Sequence, residues 1–140
     1  MENFLLISNH VIKFLLPFLI GSLIFFSAII APNTFLVLDD KNARKFIRSI
    51  FPKLYLWSLV ICLILTFMMF FNNKFYGFVL LIVSFGFFFS RQYLTKWINN
   101  VSDLKNKKEI DEKRFKKLHK LSVFIFLSQI VCMLTVFFIF

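Results

Sequence analysis

The sequence predicts an all-α integral membrane protein, a four-transmembrane-helix bundle in one domain, 1–140. Three observations carry that prediction. Apolar residues make up 59% of the chain and charged ones 17%, a ratio that 140 residues cannot bury in a soluble core. Four stretches are nearly free of charge. The basic residues are gathered in two blocks between those stretches, so the net charge of +10 points to a membrane protein and no nucleic acid.

The spans are read at about 11–30, 54–71, 75–93 and 121–140. A helix rises about 1.5 Å per residue and the hydrocarbon core is about 30 Å thick, so roughly 20 residues cross it. Leu54 to Phe71 and Leu121 to Phe140 qualify directly. Phe14 to Ile30 gains length through Val11 and Ile12, and Phe75 to Phe89 through Ser90 to Leu94. Pro17 is placed to kink the first span or to be tolerated there. Only Asn72, Asn73 and Lys74 part the second span from the third, which demands a tight antiparallel hairpin. The N-terminus lacks the basic region and cleavage site of a signal peptide, so the first apolar stretch is expected to remain as a span.

Orientation is read from the basic residues. Loop one (31–53) carries five of them, Lys41, Arg44, Lys45, Arg48 and Lys53, and loop three (90–120) carries ten. Only Lys13 and Lys74 lie elsewhere, and Lys13 is expected near enough to the interface to snorkel. The positive-inside rule then puts both loops in the cytoplasm and both termini outside an inner (plasma) membrane.

Both loops have helical patterns. Ala43, Phe46, Ile47, Ile50 and Phe51 share one face, with Lys41, Arg44, Lys45 and Arg48 opposite. This reads as a basic amphipathic helix on the anionic inner leaflet, capped by Asp40 and ended by Pro52. Leu94, Trp97, Ile98, Val101 and Leu104 prolong the third span to a turn at Asn106, Lys107 and Lys108. Asp111 is then expected as an N-cap, with Ile110 and Phe115 forming a hydrophobic staple.

Of the 17 basic residues 13 are Lys, beside 23 Phe, as mutation pressure in an AT-rich genome would produce. The four Arg, retained against that bias, are more informative. Arg91 closes span three, and its planar fork suits a carboxylate. Asp39 and Asp40 are the nearest anions by topology, with Asp103 the alternative, and a plain positive-inside anchor is the competing role.

Gly21, Phe25, Phe26, Ala31, Pro32, Phe35 and Leu38 form a G-x3-FF-x4-AP-x2-F-x2-L pattern. Ala43, Arg44, Phe46, Phe51 and Pro52 continue it, followed by Arg91 and by an F-x2-L-H-x2-S element at Phe115, Leu118, His119 and Ser122. The chain thereby resembles bacterial membrane proteins of unknown function related to the eukaryotic transmembrane protein 205 group. It departs from them in having Lys96 where a Pro is usual and in lacking a polar Asn near Phe126. A remoter likeness to copper-resistance D proteins and HemJ-type protoporphyrinogen oxidase rests on His10 ahead of Gly21.

The chemistry available is sparse. His10 and His119 fall at opposite ends of the bundle, about 30 Å apart, which excludes a bis-His haem from one protomer. Cys62 and Cys132, in spans running the same way, could meet to hold a soft metal. Without a CxxC or His–Met cluster they read better as packing. Spans two, three and four carry no acid, three Gly make no phosphate loop, and there is no nucleophile–base–acid set, so no catalytic residue and no cofactor are predicted. Gln129, Ser128, Ser22, Ser27 and the Gly86-x3-Ser90 pair read as helix-packing glue.

Alternating spans bring Pro32, Phe35, Asp39, Asp40, Phe51, Pro52, Arg91, His119 and Ser122 to one membrane face. The reading is therefore a non-enzymatic accessory or interaction subunit working at its cytoplasmic face, with a homo-oligomer or another membrane protein as partner. The alternatives are a small transporter or efflux component acting as a homo-oligomer, which the resemblance implies through the eukaryotic group's association with drug resistance, and a haem-linked redox enzyme.

Overall fold

The computed structural model describes residues 1–104 and 108–140 as helix almost throughout. Four helices are each long and apolar enough to cross a membrane: α1 (Glu2–Val37), α2 (Asp40–Asn72), α3 (Lys74–Ser102) and α4 (Glu109–Ile139). They run up, down, up, down. α2 packs most closely on α3 and next on α1, while α4 touches α3 and α1 from the diagonal corner. Leu16, Leu19, Leu23, Leu65, Met69, Leu80, Phe87 and Met133 fill the core.

The α2–α3 seam is tight because its residues are small. Ser58, Cys62 and Thr66 recur every fourth position of α2, all buried, and the last two meet Leu80 and Ser84 of α3. Small side chains let helix backbones approach inside a bilayer. The hydroxyls of Ser58, Thr66 and Ser84 donate to the carbonyls of Leu54, Cys62 and Leu80 one turn back, so none is left unsatisfied. Cys62 Sγ reaches the Leu80 carbonyl at 3.5 Å, and Thr66 and Ser84 oxygens lie 3.4 Å apart.

The hairpin between α2 and α3 is as short as the sequence demands. Asn73 is extended, and its side chain accepts from the N–H groups of Phe75 and Tyr76, which caps α3. Asn72 Nδ2 donates to Ser8 Oγ at 2.6 Å and ties in the start of α1. This end, holding both termini and the hairpin turn, is the terminal end. The opposite one is the loop end.

Side-chain pairs fix the register of α1 against α2. Phe4 meets Phe71, Ser8 meets Asn72, Phe18 meets Trp57, and Phe26 meets Phe51. Leu54, where the apolar run of α2 begins, is bracketed by the last two pairs and so stands level with a point between Phe18 and Phe26. The remainder of α1, apolar to Val37, runs alongside the basic start of α2.

Three expectations are corrected. Pro52 does not end a helix: α2 continues through it from Asp40 to Asn72, so residues 41–51 are its first turns rather than a separate amphipathic helix. Proline is tolerated because neighbouring helices hold the backbone where one ladder bond is lost. The cap is Asp39, not Asp40, since Asp39 has the extended backbone and accepts from Asn42 N at 3.3 Å. Asp111 is not an N-cap. α4 already starts at Glu109, and Asp111 reaches back to accept from Lys108 N at 3.0 Å, so the staple registered on it is lost. Of the turn expected in loop three, Asn106 and Lys107 lie outside the described residues.

Candidate functional site

Ladder defects are concentrated in the loop-end half. In α1, Pro32 cannot donate to the carbonyl one turn back, and the helix widens just before it into a π segment, Phe26–Ile30, where the Ala31 N–H reaches Phe26 O. In α3 a second π segment covers Ser90–Leu94; the Thr95 N–H bonds Ser90 O, and the Thr95 hydroxyl donates to the same oxygen at 2.8 Å. Pro52 interrupts α2 beside the first of these, since Phe51 packs edge-on to Phe26 at 5.3 Å. The other proline, Pro17, lies in continuous α-helix.

Aromatic residues gather near this level. Phe89, Tyr93 and Trp97 contact one another on α3, and Trp57 lies exposed on α2. Such residues favour the boundary between hydrocarbon and headgroups.

Beyond that boundary the helix extensions are joined by charge. Arg48 Nη1 donates to Asp103 Oδ1 at 2.6 Å, linking the start of α2 to the residue after α3. The pair borders a cleft of about 540 Å³ that Asp40, Lys41, Arg44, Lys45 and Ser102 also line. Asp39 is fully exposed, and the Asn42 side-chain amide and backbone N–H hold its carboxyl below the usual range. The apolar end of α1 lies beside these charges with Leu36 at 81% and Val37 at 78% exposure.

Arg91 departs from expectation. Asp103 belongs to Arg48 and Asp39 accepts from Asn42, so neither meets its fork. Asp40 forms part of the first turn of α2. Arg91 sits half-buried in the second π segment, and its Nε is buried with no partner among the described residues.

The other candidate residues divide between packing and surface. Phe51 bridges Phe26 and Tyr55, joining α1 to the core. Ser122 of α4 is the side-chain polar neighbour of the buried Tyr55 hydroxyl. His119 is exposed and stacks on Phe115, with ring centroids 6.2 Å apart. Pro32 and Phe35 are exposed on the end of α1. His10 is at the other end, its Nδ1 2.8 Å from Leu6 O. Cys62 faces α3, whereas Cys132 is on α4, diagonal to α2. No group of three or more metal-binding side chains occurs among the described residues.

Polar residues inside the bundle were only partly foreseen. Gln129 does act as glue: its Nε2 donates to the Val83 carbonyl at 3.1 Å across the α3–α4 contact. The Ser58-x3-Cys62-x3-Thr66 stripe was overlooked, although its spacing is itself the signal of close helix packing.

Residues 14–107, which include most of α1 and all of α2 and α3, match the family described as a domain of unknown function, DUF4149. No curated protein and no solved structure matches the chain.

Proposed function

This chain belongs to the DUF4149 family, a domain of unknown function, and from that premise we propose that it is a non-enzymatic accessory or interaction subunit of the inner membrane, working through its loop end at the cytoplasmic face. One observation carries the reading: the half of the bundle nearest the basic loops holds both π segments, Pro32 and Pro52. π-bulges recur at functional sites because they re-aim side chains and weaken the ladder locally. Arg91, half-buried in one of these segments and without a carboxylate partner among the described residues, supplies a cation for a partner's carboxylate or phosphate.

The lipid role assigned to loop one fits the same surface. Lys41, Arg44 and Lys45 at the start of α2 face anionic headgroups, each gaining about 1 kcal/mol. The apolar end of α1 beside them meets the acyl boundary.

Orientation is tested by reporter fusions after Phe140. Alkaline phosphatase there is expected to be active in a bacterial host, and green fluorescent protein dark. The reverse pattern would put the loop end outside and remove the cytoplasmic surface.

A further inference from the structure

Lys13 is an exposed cation on α1, midway in sequence between Ser8 and Phe18. Those two residues meet Asn72 and Trp57, so Lys13 is level with the middle of the apolar run of α2. The Thr66–Ser84 and Gln129–Val83 contacts carry the same depth onto α3 and α4. Lys13 therefore lies within the apolar length of α1, and a lysine there calls for a partner.

No acidic side chain supplies one, and although Phe140 borders the same crevice its terminal carboxylate makes no salt bridge with Lys13 among the described residues. The chain has seven acidic residues, of which Asp39, Asp40, Asp103, Glu109, Asp111 and Glu112 are all at the loop end. The seventh, Glu2, is eleven residues away on the same helix, about 16 Å at 1.5 Å per residue. Lys13 does line a crevice of about 270 Å³ between α1 and α4, walled by Ile12, Leu16, Phe137 and Phe140. Helical side chains lean toward the N-terminus, so the ammonium is biased toward the terminal end. The crevice is smaller than the roughly 300–1,000 Å³ of a drug-sized pocket. It offers apolar walls for part of one chain and one positive charge.

We infer that the α1–α4 crevice is a binding site for a phospholipid of net negative charge, its phosphate drawn down to the Lys13 ammonium and part of an acyl chain against the exposed rings of Phe137 and Phe140. The site is at the opposite end from the working surface proposed above and does not depend on it. Local thinning of the bilayer, one of the ways membranes accommodate a deep cation, brings the headgroup within reach.

The test is native mass spectrometry of the delipidated full chain, titrated with phosphatidylglycerol or with phosphatidylcholine of the same acyl chains. The wild type is expected to hold one phosphatidylglycerol about fivefold more tightly, the effect of roughly one cation near anionic lipid. In the Lys41→Gln/Arg44→Gln/Lys45→Gln background, Lys13→Met loses that one tightly held lipid, as does Lys13→Gln if the first variant fails to fold, and Lys13→Arg keeps it. The loop-end variant Lys41→Gln/Arg44→Gln/Lys45→Gln also keeps it, which separates this site from lipid bound at the basic surface. Equal binding of the two lipids, or an undiminished preference in Lys13→Met in that background, would overturn the site. Binding of oleate at Lys13 without phosphatidylglycerol would overturn the assignment to a phospholipid.

Discussion

Arg48 and Asp103, 55 positions apart in sequence, meet at 2.6 Å and tie the start of α2 to the end of α3 outside the apolar core. Their side chains are 34% and 60% exposed, so water and salt screen the pair. An exposed pair contributes about 0–1 kcal/mol. Asp103→Asn is accordingly expected to lower stability in detergent by less than about 1 kcal/mol. Arg48→Asp alone should be worse, and Arg48→Asp with Asp103→Arg should recover most of the loss. A thermal-melt double-mutant cycle checks this, and no recovery in the swapped variant would show that the contact is incidental.

The spans, the tight hairpin and the helical loops were legible because each rests on composition or periodicity over many residues. The helix ends were less so. Asp39 and Asp40 can both cap, and only the extended backbone at Asp39 decides between them. Pro52 reads as a stop in a soluble chain but is held inside a bundle. The pairing of Asp103 with Arg48 rather than Arg91 depends on how far α2 and α3 extend beyond the core, which local patterns do not encode. Alternating topology placed Phe51 and Ser122 toward one face, but neither the buried Tyr55 that both neighbour nor the exposed position of His119 was readable from local patterns.

Gly86 leaves the space that Gln129 fills. A Cβ on Gly86 would stand 2.7 Å from Gln129 Nε2, so Gly86→Val is expected to push α4 away at a cost of about 1–3 kcal/mol. Gln129→Ala in the same chain should restore much of that loss by vacating the space. Gln129→Leu alone should cost about 0.6 kcal/mol, a typical intramembrane hydrogen bond, because its Oε1 has no partner to lose. Thermal unfolding in detergent reads all three, and additive losses in the double variant would contradict the contact.

Arg91 has no carboxylate partner among the described residues, so its fork contributes little to the fold. A buried donor without a bond costs about 1–3 kcal/mol, and lysine has no Nε–H at that point. Arg91→Lys is therefore expected to melt in detergent at or slightly above the wild-type temperature. A fall as large as that of Arg91→Ala would mean that the fork holds the bundle together.

The central claim is that the loop end, not the terminal end, is the working surface. Site-specific photo-crosslinking in intact membranes tests it, with benzoylphenylalanine placed at Phe46 or Trp97 at the loop end and at Phe4 or Phe138 at the terminal end, all exposed. A discrete protein adduct is expected from Phe46 and Trp97, absent from Phe4 and Phe138, and weakened by Arg91→Ala. Adducts from the terminal end alone, or lipid adducts alone from all four positions, would contradict it.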